Sequence, residues 1–208
     1  MAEPKQERAV RTRDTILTAA AEIFDEYGYS GASINKIMTR ANVTQGGMYF
    51  HFKSKRELAQ AVLTHQQEFV DPPAEGFGLQ GLVDLTFFTA HQLTSNVLFR
   101  ASVRLAVEQG EFGQRDDTAY QEWVEQLYVH LRAAREQGEL LPEVDERELA
   151  NVLVGAYTGT QIFSNVASGH ADLPERLVSM WRYFLPAIAT PHGLARVELP
   201  ADVARLAA

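Results

Sequence analysis

The chain has 208 residues, of which 46% are hydrophobic, a length and composition typical of one moderate-sized globular domain or two small ones. It contains no Cys, which excludes a disulfide-stabilised scaffold, a thiolate metal site and a cysteine nucleophile. The first residues lack the apolar stretch of a secretory signal peptide, and the longest uncharged run, residues 149–169, is interrupted by many polar side chains. We therefore expect a cytoplasmic protein without a membrane-spanning segment.

Charge is distributed unevenly along the chain, whose formal net charge is −8. Residues 1–60 contain nine basic and seven acidic side chains, whereas the rest of the chain contains 10 basic and 20 acidic ones. A mildly basic first segment on an acidic remainder is compatible with DNA binding at one end and argues against non-specific coating of DNA. Taken alone, the asymmetry could also arise by chance.

Apolar residues recur at helical spacing along almost the whole chain, and no alternating pattern typical of a β-strand occurs. The first stripe predicts a helix that ends near Gly28. Ser33 and Thr44 are suitable N-caps for two short helices, over residues 33–41 and 44–49.

The later helices are predicted from the same periodicity. Ser54–Glu57 has the sequence of a capping box and opens a long helix that ends at Pro72. The helices predicted after it cover residues 79–95, 97–109, 120–138, 146–168 and 173–186, with a polar, flexible loop over residues 110–117. The sequence therefore predicts an all-α protein.

Residues 33–52 have the format of a helix-turn-helix, two short helices separated by a turn of three to four residues. The second helix of this motif enters the major groove and presents the side chains of its first turn to base edges. Here Thr44 can cap the helix and contact a phosphate, and Gln45 can contact a base edge through its amide. The two glycines that follow cost helix stability but permit close approach to the DNA. From the spacing alone, a plain helical hairpin with a Gly-rich turn is an equal alternative.

The detailed sequence of this segment, TQGGMYFHFKSKREL over residues 44–58, resembles the recognition-helix signature of the TetR family of bacterial transcription regulators. Residues 12–17 and 31–34 look like parts of the first and second helices of that family. Gln45 departs from the resemblance, since the family often has Lys or Arg there. The resemblance implies an all-helical subunit of about nine helices, and a homodimer that represses transcription by binding a pseudo-palindromic operator in double-stranded DNA.

This resemblance also implies a division of the chain. We expect an N-terminal three-helix helix-turn-helix DNA-binding domain in residues 1–53, a C-terminal helical ligand-binding and dimerisation domain in residues 54–190, and a tail in residues 191–208. Basic residues in an arm before the first helix, and polar residues around the helix-turn-helix, are the expected DNA contacts. They are Arg11, Ser33, Thr44, Gln45, Gly46, Tyr49, His51, Lys53 and Lys55.

Aromatic residues are frequent after residue 60 and suit the wall of an apolar ligand pocket, although most of them belong to the core. Polar side chains within apolar helices would serve a neutral ligand that has carbonyl and hydroxyl groups. An anionic ligand would require a buried Arg or Lys instead. The expected ligand contacts are Gln66, Phe88, Trp123 and Thr158.

Scattered residues resemble a subgroup of the TetR family, the γ-butyrolactone autoregulator receptors. These residues are Tyr49–Phe52, Gly81–Leu85, Arg100–Ala106 and Glu122–Trp123. Members of the subgroup sense small lactone or butenolide signals and repress antibiotic-biosynthesis and regulatory genes. The resemblance implies release from DNA by a small neutral lactone or butenolide, transmitted by a shift of the helix that carries Gln66.

The last two long helices, residues 146–168 and 173–186, are the expected dimer interface, in the form of a four-helix bundle. The expected anchors of the interface are Phe163, Trp181, Phe184 and Leu185.

Common catalytic signatures are absent from the sequence. It contains no His-Glu-x-x-His, Gly-x-Ser-x-Gly, P-loop or dinucleotide-binding glycine motif, and we expect neither an enzyme nor a bound cofactor or metal. Two alternatives stay open: a TetR-type repressor that senses a drug or a lipid, and a helical protein–protein adaptor that does not bind DNA. Steeply salt-dependent DNA affinity favours a repressor over the adaptor, and release by a lactone separates the two kinds of repressor.

Overall fold

The computed structural model describes residues 5–64, 76–113 and 116–200, which are mainly helical. The α-helices are α1 (Lys5–Gly31), α2 (Ile34–Ala41), α3 (Gln45–His51), α4 (Lys55–Thr64), α5 (Leu79–Ser95), α6 (Val97–Val107), α7 (Thr118–Glu136), α8 (Glu146–Ser168), α9 (Leu173–Ile188) and α10 (Pro191–Leu194), and a short 3₁₀ helix covers Gln109–Phe112. Apart from an isolated bridge between Leu140 and Ala189, the described residues form no β-structure. The all-α fold predicted from the helical periodicity is confirmed.

Side-chain caps begin the two short helices where the sequence predicts them. The Ser33 hydroxyl accepts a hydrogen bond from the N–H of Lys36 at 3.3 Å, and the Thr44 hydroxyl accepts one from the N–H of Gly47 at 3.2 Å. Between the helices, Asn42 adopts a left-handed conformation with φ 52°, and its N–H bonds back to the end of α2. These local bonds fix the turn of the helix-turn-helix.

The capping box predicted at the start of α4 forms only in part. The Ser54 hydroxyl accepts a hydrogen bond from the N–H of Glu57 at 3.1 Å, as expected. The Glu57 carboxylate accepts from the N–H of Lys53 at 2.6 Å, one residue before the position that a capping box uses. The carboxylate therefore stabilises the link between α3 and α4. The predicted end of this helix at Pro72 lies outside the described residues.

The described residues form two compact units. The first unit contains α1–α4 together with α6 and the 3₁₀ helix. Its core is lined by Ile16, Phe24, Ile37, Met48, Phe52, Leu58 and Leu105. The helix α6 therefore packs with the helix-turn-helix. The functional division at residue 53 stays a prediction, because packing alone does not define it.

The polar loop predicted over residues 110–117 is partly wrong. Its first residues belong to the 3₁₀ helix, and Phe112 is buried with its ring centroid 4.6 Å from that of Tyr29. A single aromatic side chain thus anchors a segment that composition alone predicts to be flexible, because burial of one ring outweighs the polar neighbours.

The second unit contains α5, α7, α8, α9 and α10. Trp181 in α9 is completely buried in its core, and its indole N–H donates to the Thr86 hydroxyl of α5 at 2.9 Å. Leu185, one turn later, is buried beside it. Trp181 is therefore a central packing residue of the unit.

We expect Trp181→Ala to lower the free energy of unfolding by about 3–5 kcal/mol, because it removes a fully buried indole and leaves a cavity. Trp181→Phe keeps most of the ring and loses the hydrogen bond, so we expect a smaller loss of about 1–2 kcal/mol. Urea unfolding measures both values, with the exposed neighbour changed in Arg182→Ala as the control. Equal midpoints for all three variants would contradict this role.

The uncharged run, residues 149–169, covers most of α8 and its C-cap Gly169, and the sequence predicts a helix buried in protein there. The structure leaves one face of it exposed, formed by Val152, Gly155, Gly159, Phe163 and Val166. No helix within the described ranges is long and apolar enough to cross a lipid bilayer.

Candidate DNA interface and ligand-binding residues

The helix α3 presents one exposed face and one buried face. Gln45, Gly46, Tyr49 and Phe50 are exposed on the first, and Met48 is fully buried on the second. The buried methionine fixes the rotation of α3 against the core. The opposite face of α3 is therefore exposed to solvent. Four of these five residues are therefore available to contact another molecule.

The predicted DNA contacts outside this face of α3 differ in their exposure to solvent. Thr44 is exposed at the start of α3, and Ser33 and His51 are half-buried. Arg11 is exposed on α1 and not in an arm before it, because α1 already begins at Lys5. Thr44 and Arg11 therefore present polar groups to solvent, whereas Ser33 and His51 are less accessible.

The two lysines after α3 have different roles. The exposed Lys53 ammonium donates to the carbonyl oxygen of Tyr49, which holds it against the end of α3. The Lys55 ammonium turns inward and donates to the carbonyl oxygens of Tyr29 at 2.8 Å and Ala32 at 3.1 Å. It also lies 4.2 Å from the centroid of the Tyr29 ring. Lys55 therefore joins α4 to the end of α1 within the first unit.

Polar contacts fasten α6 to the end of α1. The Arg100 guanidinium donates to both carboxylate oxygens of Asp25 at 2.9 and 3.0 Å. The Arg104 guanidinium donates to the carbonyl oxygen of Asp25 at 2.5 Å and pairs with Glu108 at 2.8 Å. The Glu108 carboxylate accepts in turn from the N–H of Tyr29 at 2.7 Å. These bonds satisfy backbone groups that the end of α1 leaves unpaired.

A glycine makes this fastening possible. Gly28 interrupts the helical geometry of α1 with φ 68° and ψ 177°. A Cβ at this position would lie 2.6 Å from the guanidinium of Arg104 and 3.0 Å from the carboxylate oxygens of Glu108. Glycine is thus required both for the backbone conformation and for the close approach of α6. The apolar periodicity predicts a helix end near Gly28, but the contact of Gly28 with α6 is not visible in the sequence.

The cavity that Phe88 lines does not include the other predicted ligand contacts that the structure describes. Phe88 lines a cavity of about 440 Å³ in the second unit, between α5 and the turn from α8 to α9, together with His91 and His170. Trp123 on α7 and Thr158 on α8 are half-buried and do not line that cavity. Gln66 lies outside the described residues.

Three buried polar atoms on α7 and α8 have no hydrogen-bond partner within the part of the chain that the structure describes. They are Gln126 Oε1, His130 Nδ1 and the hydroxyl of Tyr157. Trp123, Gln126 and His130 are spaced at i, i+3 and i+7 and therefore share one face of α7. Burial raises the pKa of the Tyr157 hydroxyl strongly, so it is a neutral hydrogen-bond donor at physiological pH. No sequence pattern identifies these three atoms, because nothing in a sequence shows that a buried group lacks a partner.

Burial lowers the pKa of His130, against a smaller opposing effect of the Asp84 charge. Between the lowered value and the usual value of about 6.5, the unfolded chain binds more protons than the folded chain. We therefore expect His130 to contribute to a fall in stability as the pH drops below about 6.5. Urea midpoints measured from pH 7.5 to 5 should fall less steeply for His130→Gln, and an unchanged slope would contradict the effect.

The predicted interface anchors separate into two groups. Phe163 is exposed on α8 and Phe184 is half-buried on α9, and both line an open depression of about 730 Å³ between the two helices. Trp181 and Leu185 lie in the core of the second unit instead. They have almost no exposed surface to offer a second chain. Hydrophobic periodicity identifies both groups alike, since it does not distinguish a core face from an interface.

A polar cluster holds the turn between α8 and α9. Arg176, Ser164 and Ser168 hydrogen-bond the Asp172 carboxylate and hold its pKa well below its usual range. The Arg176 guanidinium also lies 4.1 Å from the ring centroid of Phe163. No group of His, Asp or Glu with the arrangement of a metal site occurs among the described residues.

Comparisons with known proteins agree with this architecture. Residues 16–62 match the model of the family described as bacterial regulatory proteins, tetR family, and residues 77–190 match that of the tetracyclin repressor-like C-terminal domain. The chain belongs to the TetR family. The regulators of this family bind DNA operators as dimers, and the recognition-helix resemblance seen in residues 44–58 is confirmed.

Individual members of the TetR family resemble the chain over most of its length. The A-factor receptor protein of Streptomyces griseus is 40% identical over 194 residues, which cover 93% of this chain and 70% of the relative. The TetR regulator TylP of Streptomyces fradiae is 44% identical, with a TM-score of 0.80 and 94% of each chain covered. A crystal structure described as a γ-butyrolactone receptor, an ArpA-like protein, is 30% identical, with a TM-score of 0.73 and coverage of 96% and 97%.

Proposed function

We propose that this TetR-family DNA-binding repressor is a receptor for a small, neutral γ-butyrolactone or butenolide, which releases it from a pseudo-palindromic operator. The observation that carries the proposal is that the Tyr157 hydroxyl on α8 and the Gln126 side-chain carbonyl on α7 are both buried and unpartnered. Similarity to the A-factor receptor and to a γ-butyrolactone receptor supports it. A helical adaptor without DNA binding does not fit the TetR family.

The chemistry of the unpartnered groups suits a lactone with a hydroxyl group. The Tyr157 hydroxyl donates to a carbonyl oxygen, and the Gln126 carbonyl accepts from a ligand hydroxyl. A buried polar group without a partner costs about 1–3 kcal/mol, so a ligand that reaches either group gains specificity as well as affinity. Trp123, on the same face of α7 as Gln126, supplies a flat apolar surface for the ring or tail of the ligand.

The buried side chains of the described residues do not favour a charged ligand. No Lys or Arg is among the buried side chains of the described residues. An anion placed beside either Tyr157 or Gln126 would therefore lose its hydration without gaining a counter-charge. The ring-opened form of a lactone carries a carboxylate, so it should bind at least about tenfold more weakly than the closed form.

Transmission to the DNA-binding residues is proposed to use α6. The helix α5, which belongs to the second unit, ends at Ser95, and α6 begins at Val97 in the first unit. Because Arg100, Arg104 and Glu108 fasten α6 to the end of α1, a displacement of α6 would move α1 and with it the helix-turn-helix. A ligand drives such a change only if its affinity for the two states differs.

We propose that the exposed face of α8 pairs with the same face of a second chain. Val166 is 82% exposed and Tyr183 on α9 is 84% exposed, which is unusual for large apolar side chains. Gly155 and Gly159 have open space above them, so two copies of α8 can approach closely. A two-fold axis through this face would match the symmetry of a palindromic operator.

We expect sedimentation of the wild type to give twice the mass of one 23.2-kDa chain. Val166→Asp buries a charge in the proposed interface and should shift the protein to the mass of a single chain. Asn165→Asp, which adds the same charge at the neighbouring exposed position, serves as the control. A Val166→Asp protein that stays dimeric would contradict this interface.

Fluorescence anisotropy tests the proposed function. The probe is a labelled duplex selected from random sequences by its affinity for the protein, at two salt concentrations. Titration of a hydroxyl-bearing γ-butyrolactone should release the duplex, and its ring-opened form should not. Release by neither form would overturn the lactone assignment. Release by a hydrophobic drug or a fatty acid, with no effect of either lactone form, would support the repressor that senses such compounds.

A further inference from the structure

Phe50 is the most exposed large apolar side chain among the described residues of the first unit, with 72% of its surface accessible. It lies on the outer face of α3 beside Gln45, Gly46 and Tyr49. Packing of the protomer does not explain it, because the ring takes no part in the hydrophobic core. An apolar ring displayed on a recognition helix therefore calls for a partner outside the protomer.

The neighbouring residues leave the Phe50 ring accessible to another molecule. Helical side chains lean toward the N-terminus, so the Phe50 side chain inclines toward Gly46, one turn earlier. Gly46 has no side chain, and a Cβ built there would find no atom within 4 Å. The His51 ring meets the Phe50 ring at right angles, with centroids 5.0 Å apart, and supports its orientation.

The polar groups of α3 limit what the helix can recognise. It contains neither Lys nor Arg, so it lacks the side chains that most often bind guanine in the major groove. The Gln45 amide is the group suited to a bidentate contact with adenine. The remaining feature of the major groove that an apolar ring contacts is the C5 methyl group of thymine.

We propose that Phe50 recognises a thymine of each operator half-site through the C5 methyl group of the base. The proposal rests on operator binding, as part of the proposed function, and it does not depend on the identity of the released ligand. Phe50 is then a specificity-determining residue, since uracil, cytosine and the purines lack a methyl group at that place in the groove.

The test replaces single thymines of a selected duplex by uracil, which removes only the methyl group. Wild-type affinity should fall at one symmetric pair of positions, roughly fourfold for one half-site and about fifteenfold for both, as expected for the burial of one methyl group. Phe50→Ala should bind thymine and uracil duplexes equally. Phe77→Ala, which truncates another exposed phenylalanine, should keep the wild-type response.

The other outcomes overturn the proposal. If no uracil substitution weakens the wild-type complex, no methyl group is recognised. If Phe50→Ala keeps the full uracil effect, a different residue recognises the methyl. If Phe50→Ala loses affinity and retains this position-specific effect, the ring contacts the DNA backbone. A selection that enriches no duplex would contradict operator binding itself, which distinguishes failure of the proposed function from failure of the thymine contact.

Discussion

We expect Gly46→Ala to weaken operator binding about tenfold per half-site, and so about a hundredfold for a dimer, without any loss of folding stability. The added methyl group projects from the exposed face of α3, where no atom of the protein lies within 4 Å. In a close-packed interface such a group costs about 1–3 kcal/mol. In the free protein, alanine favours the helix over glycine by about 1 kcal/mol.

Gly47→Ala is the matched control for this substitution. A Cβ at Gly47 would lie 3.4 Å from the Thr44 hydroxyl and 4.0 Å from the Cβ of Val43, which are ordinary packing distances within the helix-turn-helix. We expect this variant to bind the operator nearly as tightly as the wild type. Anisotropy titrations and urea unfolding of both variants give the two readouts. An equal loss of affinity in both, or a loss that follows reduced stability, would contradict close approach of DNA at Gly46.

Trp123 is the proposed aromatic contact of the ligand on α7. We expect Trp123→Ala to weaken lactone binding at least about thirtyfold, as for a central aromatic contact residue, and to leave operator affinity unchanged. Trp123 shares a face of α7 with the unpartnered Gln126 carbonyl, and its large ring is half-buried there. Isothermal titration with a γ-butyrolactone measures the loss. Unchanged lactone affinity would move the binding site away from this face of α7.

Tyr157→Phe should raise the stability of the unliganded protein and lower its affinity for the lactone. Removal of the buried, unpartnered hydroxyl should raise the free energy of unfolding of the unliganded protein by about 1 kcal/mol. The same change should weaken lactone binding about tenfold, since the donor to the ligand carbonyl is lost. Tyr128→Phe, on the half-buried flank of α7, should change neither quantity. A Tyr157→Phe protein that is less stable would show that the hydroxyl has a partner in the folded protein.

Local signals explain why much of the first unit could be predicted from the sequence. Ser33 and Thr44 begin α2 and α3 as predicted, because an N-cap depends only on residues up to three positions away. The helix break at Gly28 is predictable because glycine readily adopts the positive φ that the structure shows there. The dense motif of residues 44–58 identified the family, which the family model then confirmed.

Features that depend on contacts distant in sequence could not be predicted in the same way. Trp181 has the hydrophobic spacing of an interface residue, yet its hydrogen bond to Thr86 joins positions 95 residues apart in the core. Lys55 matches a DNA-contacting position of the family, yet its ammonium is held by Tyr29 and Ala32. The fastening of α6 to α1 and the unpartnered Tyr157 hydroxyl likewise become visible only when the helices are packed together.

In the proposed function, lactone binding and operator binding oppose each other within one molecule. Thermodynamic linkage requires that the lactone weakens operator affinity by the same factor by which the operator weakens lactone affinity. The most direct measurement is therefore the lactone dissociation constant of the wild-type protein, determined without DNA and with a saturating selected duplex. We predict a higher constant in the presence of the duplex, by the factor seen in the reciprocal titration. Equal lactone affinity for the free and the DNA-bound protein would contradict a repressor that the lactone releases from DNA.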